Sequence, residues 1–242
     1  ASFFFFFLAR VWNRYGSALL AEAQRLEVDP SFAAALLALE SGGEGFGPSG
    51  RMVIRFENHI FYHYWGEQHQ AQFFAHFAFD ANETWQGHRW RPDPNGPWQE
   101  CHLDDQNVEW QVFSFARQLD ETVAMLSISM GLAQIMGFNH QIVGFGGVQA
   151  MFQSLSGSIA KQIRAFFRFV ESRGAVGAMR AEDYPAFARS YNGGGQVDAY
   201  AAKLRDYVAT LRGLRQPAAA PAAIPAPAPA PWTFPEPTPA EQ

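Results

Sequence analysis

One cysteine, Cys101, occurs in 242 residues. A lone thiol excludes an intramolecular disulfide framework and any cysteine-cluster metal site, and it fits a chain folded in a reducing compartment. Charge is scarce as well, 17% of residues against 48% apolar, and the net charge of −5 gives no global attraction for nucleic acid. Long apolar runs are missing. The opening ASFFFFFLARVW holds only seven strongly apolar residues in a row, Phe3 to Ala9, with no positive residue ahead of them. That is too short to span a bilayer and lacks the charged start of an export signal. Residues 1–12 therefore read as an N-terminal apolar extension, a docked segment or the remnant of something longer, and no transmembrane segment is expected. There is no internal repeat and no β-α-β alternation.

What is present is aromatic and mostly helical. Aromatics make up 15%, with 23 Phe and 7 Trp. Charge is uneven: residues 80–121 carry nine acids against three arginines, and 159–215 carry ten Lys/Arg against five acids. The basic part can face an anionic polymer or form the solvated side of amphipathic helices. From Pro217 to Gln242 there are nine Pro and nine Ala with two charges, a composition that builds no core. Residues 216–242 read as a disordered tail or linker, a possible tether to a further module or assembly, and 13–215 as the folded unit.

Within that unit helical periodicity predicts helices over 17–27 and 31–40, the second with Asp29 as cap and Pro30 in its first turn. RMVIRFEN reads as a short extended segment, 67–79 as an amphipathic stretch aligning Ala71, Phe74 and Phe77, and GHRWRPDPNGPWQE as loop. A long helix is predicted over 107–126, burying Val108, Val112, Phe115, Leu119 and Val123. Further helices are predicted at about 131–137, 147–155, 158–172, 183–190 and 196–212. The fold class is α-dominated, all-α or α+β, with a small β element.

Three short stretches can carry chemistry. In AALLALESGGEGF, Glu40 ends an apolar helix holding Phe32, Leu36 and Leu39. A partly desolvated carboxyl there has a raised pKa, as a general acid working near neutrality requires. Gly42 and Gly43 let the chain turn away without blocking a cleft; the bland alternative is a helix-terminal glutamate with a glycine stop. In SMGLAQIMGFNH, Gln134 sits in an apolar turn between Gly131 and Gly137, where it can bond a sugar hydroxyl or a buried carbonyl. In FARSYNGGG, Tyr191 and Asn192 precede three glycines, either beside a catalytic carboxyl or as a helix end with a core tyrosine.

Taken in order, Glu-Ser at a helix end, Gly-Leu-x-Gln-Ile and Tyr-Asn-Gly resemble the goose-type lysozyme and lytic-transglycosylase superfamily. With IRFENHIF added, the chain is similar, over roughly 17–212, to the N-acetylmuramidase domain of phage endolysins and related bacterial proteins. The resemblance implies a lysozyme-like fold and cleavage of the β-1,4 bond between N-acetylmuramic acid and N-acetylglucosamine in bacterial peptidoglycan. It places Glu40 on the catalytic acid and Gln134, Tyr191 and Asn192 in the substrate cleft. One departure is Met130, where an aromatic, usually Trp, commonly precedes the Gly-Leu. Two rival readings are a lytic transglycosylase leaving 1,6-anhydromuramic ends and an inactive glycan-binding wall protein.

A second carboxylate is harder to choose. Glu57, at the end of the extended segment, leads as catalytic partner, with Glu109 next at the cleft and Asp104 or Asp105 behind; Arg55 could instead neutralise Glu57. His59 and His63 share a helical face, but no HExxH is present and His102 and His140 lack ligand-like spacing, so neither a metal nor a cofactor is expected. One or two of Trp85, Trp90, Trp98 and Trp110 are expected to touch sugar. The missing export signal suits a protein made in the cytoplasm that reaches the wall as a phage lysis protein or a secreted effector.

Overall fold

A computed structural model describes residues 2–40, 44–103, 105–193 and 196–215. The Ala/Pro-rich segment, Gly42, Gly43 and Asp104 lie outside them. The architecture follows from α2, Pro30–Glu40 (PSFAAALLALE), in which every residue from Ser31 to Ala38 is buried. A helix apolar on all sides has to be surrounded, and its alanines allow close approach. Helix α1 (Ser2–Leu26) packs on one side of it and α11 (Val197–Arg215) on another. Asp29 accepts from Ser31 N at the start of α2 and from Arg212 of α11, so one carboxylate caps the helix and ties it to its neighbour.

Helix α1 runs unbroken from Ser2, so the division drawn between residues 12 and 13 falls inside it, and Leu8 and Val11 are buried in the common core. Its Glu22 is buried and ion-paired to Arg25 and to Arg164 of α8 (Ile159–Ser172), while Arg25 also holds Glu171 of α8. Helices α7 (Val148–Gly157), α9 (Val176–Arg180) and α10 (Tyr184–Asn192) complete the helical body.

Two small antiparallel sheets supply the β element. In one, β1 (Ile54–Phe56) pairs with β5 (Ile128–Met130), and β5 with β6 (Ile135–Met136). In the other, β2 (Phe77–Ala78), β3 (Arg89–Trp90) and β4 (Gln99–Glu100) follow in order, so part of the expected 87–100 loop is strand. Helices α3 (Asn58–Tyr64) and α4 (Gln70–His76) lie between the sheets in sequence. Asn58 donates to the carbonyls of Ala78 and Arg89, joining the end of β1 to the second sheet. The α4 face is one residue off expectation, with Phe73 buried and Phe74 exposed.

Two helix expectations are corrected. The stretch 131–137 is the β5–β6 turn and β6, because Gly131 (φ 67) and Gln134 (φ 49) both take left-handed backbone that no α-helix contains. The expected helix 107–126 is two, α5 (Gln106–Leu119) and α6 (Glu121–Leu126), broken at Asp120, whose extended backbone ends one and whose side chain caps the next from Val123 N. The buried face of α5 is Glu109, Val112, Phe113 and Ala116, rotated from the expected stripe, which leaves Leu119 half-buried.

Phe32 is fully buried in α2, stacked on Tyr184 at 5.4 Å and edge-on to Phe187 at 5.3 Å. Phe32→Ala should therefore cost about 3–5 kcal/mol in chemical denaturation, and Leu119→Ala clearly less. Equal losses would mean that α2 is not the centre of the core.

Candidate active site

Burial of α2 delivers Glu40 to its C-terminal end, facing a cavity of about 630 Å³ lined by Leu39, Glu40, Asn192, Gln196, Ala199, Tyr200 and Lys203. Helix α10 ends there at Gly193, whose φ of 79 suits glycine, and so presents Tyr191 and Asn192. Helix α11 begins on the opposite wall. Tyr200 and Lys203, three residues apart, share one of its faces.

The hydroxyl of Tyr200 donates to Glu40 Oε1 at 2.6 Å, and Tyr191 also hydrogen-bonds the carboxyl. Asn192 in turn bonds the Tyr200 hydroxyl. Tyr191 is held in place by stacking on Phe187, ring centres 5.6 Å apart. Burial raises the pKa of Glu40 above the ordinary glutamate range, against the pull of both tyrosines and of Lys203. The negative end of the α2 dipole acts in the same direction as burial. Both tyrosines are pushed up by burial and by Glu40, so they stay protonated as donors.

The sequence-derived candidates divide. Glu40 and Asn192 line one cavity and Tyr191 bonds its carboxyl; Tyr200 and Lys203, absent from the expected set, stand with them. Gln134 is not in that lining. Its Oε1 accepts from Ser129 Oγ at 2.7 Å and its Nε2 donates to Gly131 O at 2.8 Å, so its amide braces the β5–β6 turn. Glu109 is buried under β1, its two oxygens accepting from Phe56 N and His102 N at 2.8 and 2.9 Å. Burial drives its pKa up to about 7 despite those donors. Glu57 closes β1 with Oε1 3.1 Å from Arg55 Nε and Oε2 3.6 Å from Nδ1 of both His59 and His88. Neither acid lines the cavity over Glu40.

His88 and His102, distant in sequence, meet in space beside Glu57. Glu57, His88 and His102 place ligand-type atoms within 4.8 Å of one another. No sequence signal marked His88. Cys101, buried nearby, has its thiol pushed up to about 12 by burial and neighbouring acids, which makes it inert. Among the tryptophans, Trp90 and Trp110 border a separate groove of about 400 Å³ with Arg51.

A mainly helical body, two small antiparallel sheets and one desolvated glutamate at a helix end over a cavity define a lysozyme-like glycoside hydrolase. The N-acetylmuramidase family profile matches residues 29–212, and the chain belongs to that family: it is a peptidoglycan-hydrolysing muramidase. It is also similar to the crystal structure of the Burkholderia AP3 phage endolysin, at 28% identity and a TM-score of 0.62, over 81% of this chain and 71% of that one. No curated protein matches.

Glu109 links this region to pH. Its folded pKa of about 7 lies above the ordinary 4.5, so its contribution is fully present below about pH 4.5 and lost as pH rises through 7. Denaturation at pH 5 and pH 8 should show Glu109→Gln moving the stability difference between the two in favour of pH 8, by on the order of 3 kcal/mol relative to the parent. An unchanged difference would mean that Glu109 does not titrate in this window.

Proposed function

We propose that Glu40 is the general acid of this muramidase, and that the cavity over it receives the glycan at the bond between N-acetylmuramic acid and N-acetylglucosamine. The observation that carries this is the set of groups at the cavity: one carboxyl, held by the hydroxyls of Tyr200 in the lining and of Tyr191 behind it, two amides and a lysine. Protonated Glu40 passes its proton to the glycosidic oxygen, which leaves as the 4-hydroxyl of N-acetylglucosamine. The resulting carboxylate is held by Tyr191 and Tyr200 and balanced by Lys203. Positive charge at C1 of muramic acid is met by the sugar's own acetamide oxygen, as in substrate-assisted glycosidases. Water then attacks C1, its proton returns to Glu40, and a reducing muramic acid end results. Asn192 is placed to bond a sugar hydroxyl or acetamide. No step falls to Glu57 or Glu109, whose oxygens serve Arg55 and backbone N–H groups.

A single carboxyl on the cavity also suits a transglycosylase, in which the 6-hydroxyl of muramic acid takes the place of water. Product mass separates the two chemistries. The substrate is the glycan strand of peptidoglycan and the place of action is the cell wall. No helix among the described residues is long and apolar enough to cross a membrane. We read the chain as made in the cytoplasm and delivered to the wall as a phage lysis protein, a reading supported by the endolysin likeness, with a secreted effector as the other route. The Ala/Pro-rich segment is read as a tether to another module.

Glu40→Gln keeps the shape but removes the proton, and should lower wall hydrolysis by about a hundredfold or more while the melting curve is retained. Full activity would move the assignment elsewhere. In mass spectra of digested peptidoglycan we expect reducing ends, one water heavier than anhydro ends; a predominance of anhydro ends would replace water by the 6-hydroxyl and leave Glu40 in its role. Tyr200→Phe removes a donor to the carboxylate, so the alkaline limb of the rate profile should move to higher pH. A limb that stays in place would show that Tyr200 does not tune Glu40.

A further inference from the structure

The end of β1 carries a cluster that the glycosidase chemistry leaves unused. Glu57 Oε2 lies 3.6 Å from Nδ1 of His59 and 3.6 Å from Nδ1 of His88. Both nitrogens are buried and have no hydrogen-bond partner, and His88 is only 2% exposed. His102 lies tilted against His88, ring centres 4.3 Å apart, and completes the group.

The ring orientations are set from outside the cluster. His88 Nε2 is 2.8 Å from Thr84 O, and His102 Nε2 is 2.8 Å from Phe56 O. A carbonyl only accepts, so each imidazole carries its proton on Nε2 and turns the lone pair of Nδ1 inward. This is the support that metal-binding histidines receive, their second nitrogen donating to a carbonyl. Lone pairs of two neutral imidazoles aimed at a carboxylate oxygen repel one another unless a cation lies between them. Arg55 partly fills that need, its Nη2 2.9 Å from His102 Nδ1 and its Nε 3.1 Å from Glu57 Oε1. It does not reach the unpartnered nitrogens of His59 and His88, and its side chain is half-exposed.

We propose that Glu57, His88 and His102, whose ligand atoms lie within 4.8 Å of one another, form a structural site for a divalent transition metal of the Zn²⁺ class, with His59, its Nδ1 3.6 Å from Glu57 Oε2, moving in as the fourth ligand. Three imidazole nitrogens and one carboxylate oxygen are a borderline donor set suited to that ion. With bonds of about 2.0–2.2 Å, the edge of a zinc tetrahedron is roughly 3.4 Å, close to the 3.6 Å that separates Glu57 Oε2 from Nδ1 of His59 and of His88. His102 adopts φ 64, left-handed backbone that a non-glycine residue keeps only when its surroundings enforce it; here Glu109 grips its N–H. An entry path exists as well, since His59 lines an adjoining cavity of about 370 Å³ with Tyr62, Phe79 and Thr84. The ion would staple the end of β1 and the start of α3 to residues flanking β3 and β4. The inference is independent of the role given to Glu40.

The test uses the full chain, stripped with a chelator and then titrated with Zn²⁺ by calorimetry, with Co²⁺ as an optical probe. We expect one equivalent bound, a rise of several degrees in Tm on adding Zn²⁺, and visible Co²⁺ absorption typical of four-coordinate nitrogen and oxygen ligation. Glu57→Gln, His59→Gln and His88→Gln should each weaken Zn²⁺ by at least about tenfold, whereas His63→Gln, outside the cluster, should not. Should His88→Gln fail to fold, the less buried Glu57→Gln decides. No stoichiometric binding and no Tm shift would overturn the proposal. So would binding that survives Glu57→Gln and His59→Gln, or that is lost in His63→Gln, which would mark an incidental surface site.

Discussion

Everything around the Glu40 cavity depends on the burial of α2. Eight of its eleven residues are buried in a row, so α1 and α11 must close around it, and the chain cannot emerge until Glu40. A carboxyl at that point has a buried helix behind it and the negative end of the helix dipole beside it. Both favour its neutral form. The opposing influences are the two tyrosine hydroxyls and Lys203, which favour the anion without abolishing the elevation. The same groups that moderate the acid would stabilise the carboxylate once its proton has gone, so in the proposed role of Glu40 one set of contacts would serve both halves of the reaction.

Strand β1 runs from the β5–β6 turn to the histidine cluster. At its N-terminal side, Val53 O accepts from Gly131 N and, at 3.4 Å, from the Gln134 amide. At its C-terminal side Glu57 meets the histidines. Four residues of extended chain, roughly 13 Å, separate the two ends. Glu109 braces the strand from beneath through Phe56 N, and Gln106 brackets Ile54 with bonds to its N–H and its carbonyl. A three-residue strand is too short to be rigid by pairing alone. These side chains from α5 supply what the ladder lacks.

Sequence and structure part company where polar residues take core positions. The α5 stripe was misplaced because Glu109 occupies the face that periodicity reserves for apolar side chains, and its two backbone donors are what make that burial tolerable. The helix expected at 131–137 was suggested by apolar residues at helical spacing. Two left-handed residues override that pattern, and a glutamine at φ 49 leaves no local signature. Likewise the break at Asp120 interrupts an apolar period that continues across it.

The sequence by itself determined what depends on near neighbours: α2 and its cap, the α10 end with Tyr191, Asn192 and the following glycine, and the order of the three motif stretches that carry the family likeness. The desolvated setting of Glu40 was legible because it is written in the apolar residues before it. The pairing of Glu40 with Tyr200, 160 positions away, and the meeting of Glu57 and His59 with His88 and His102 were decided only by the tertiary structure. Hydrophobic periodicity says which face of an element turns inward, but not which elements it will meet there. Those partners are set by packing among helices and sheets far apart in the chain, and a hydrogen bond or a ligand set across them has no spacing to be read.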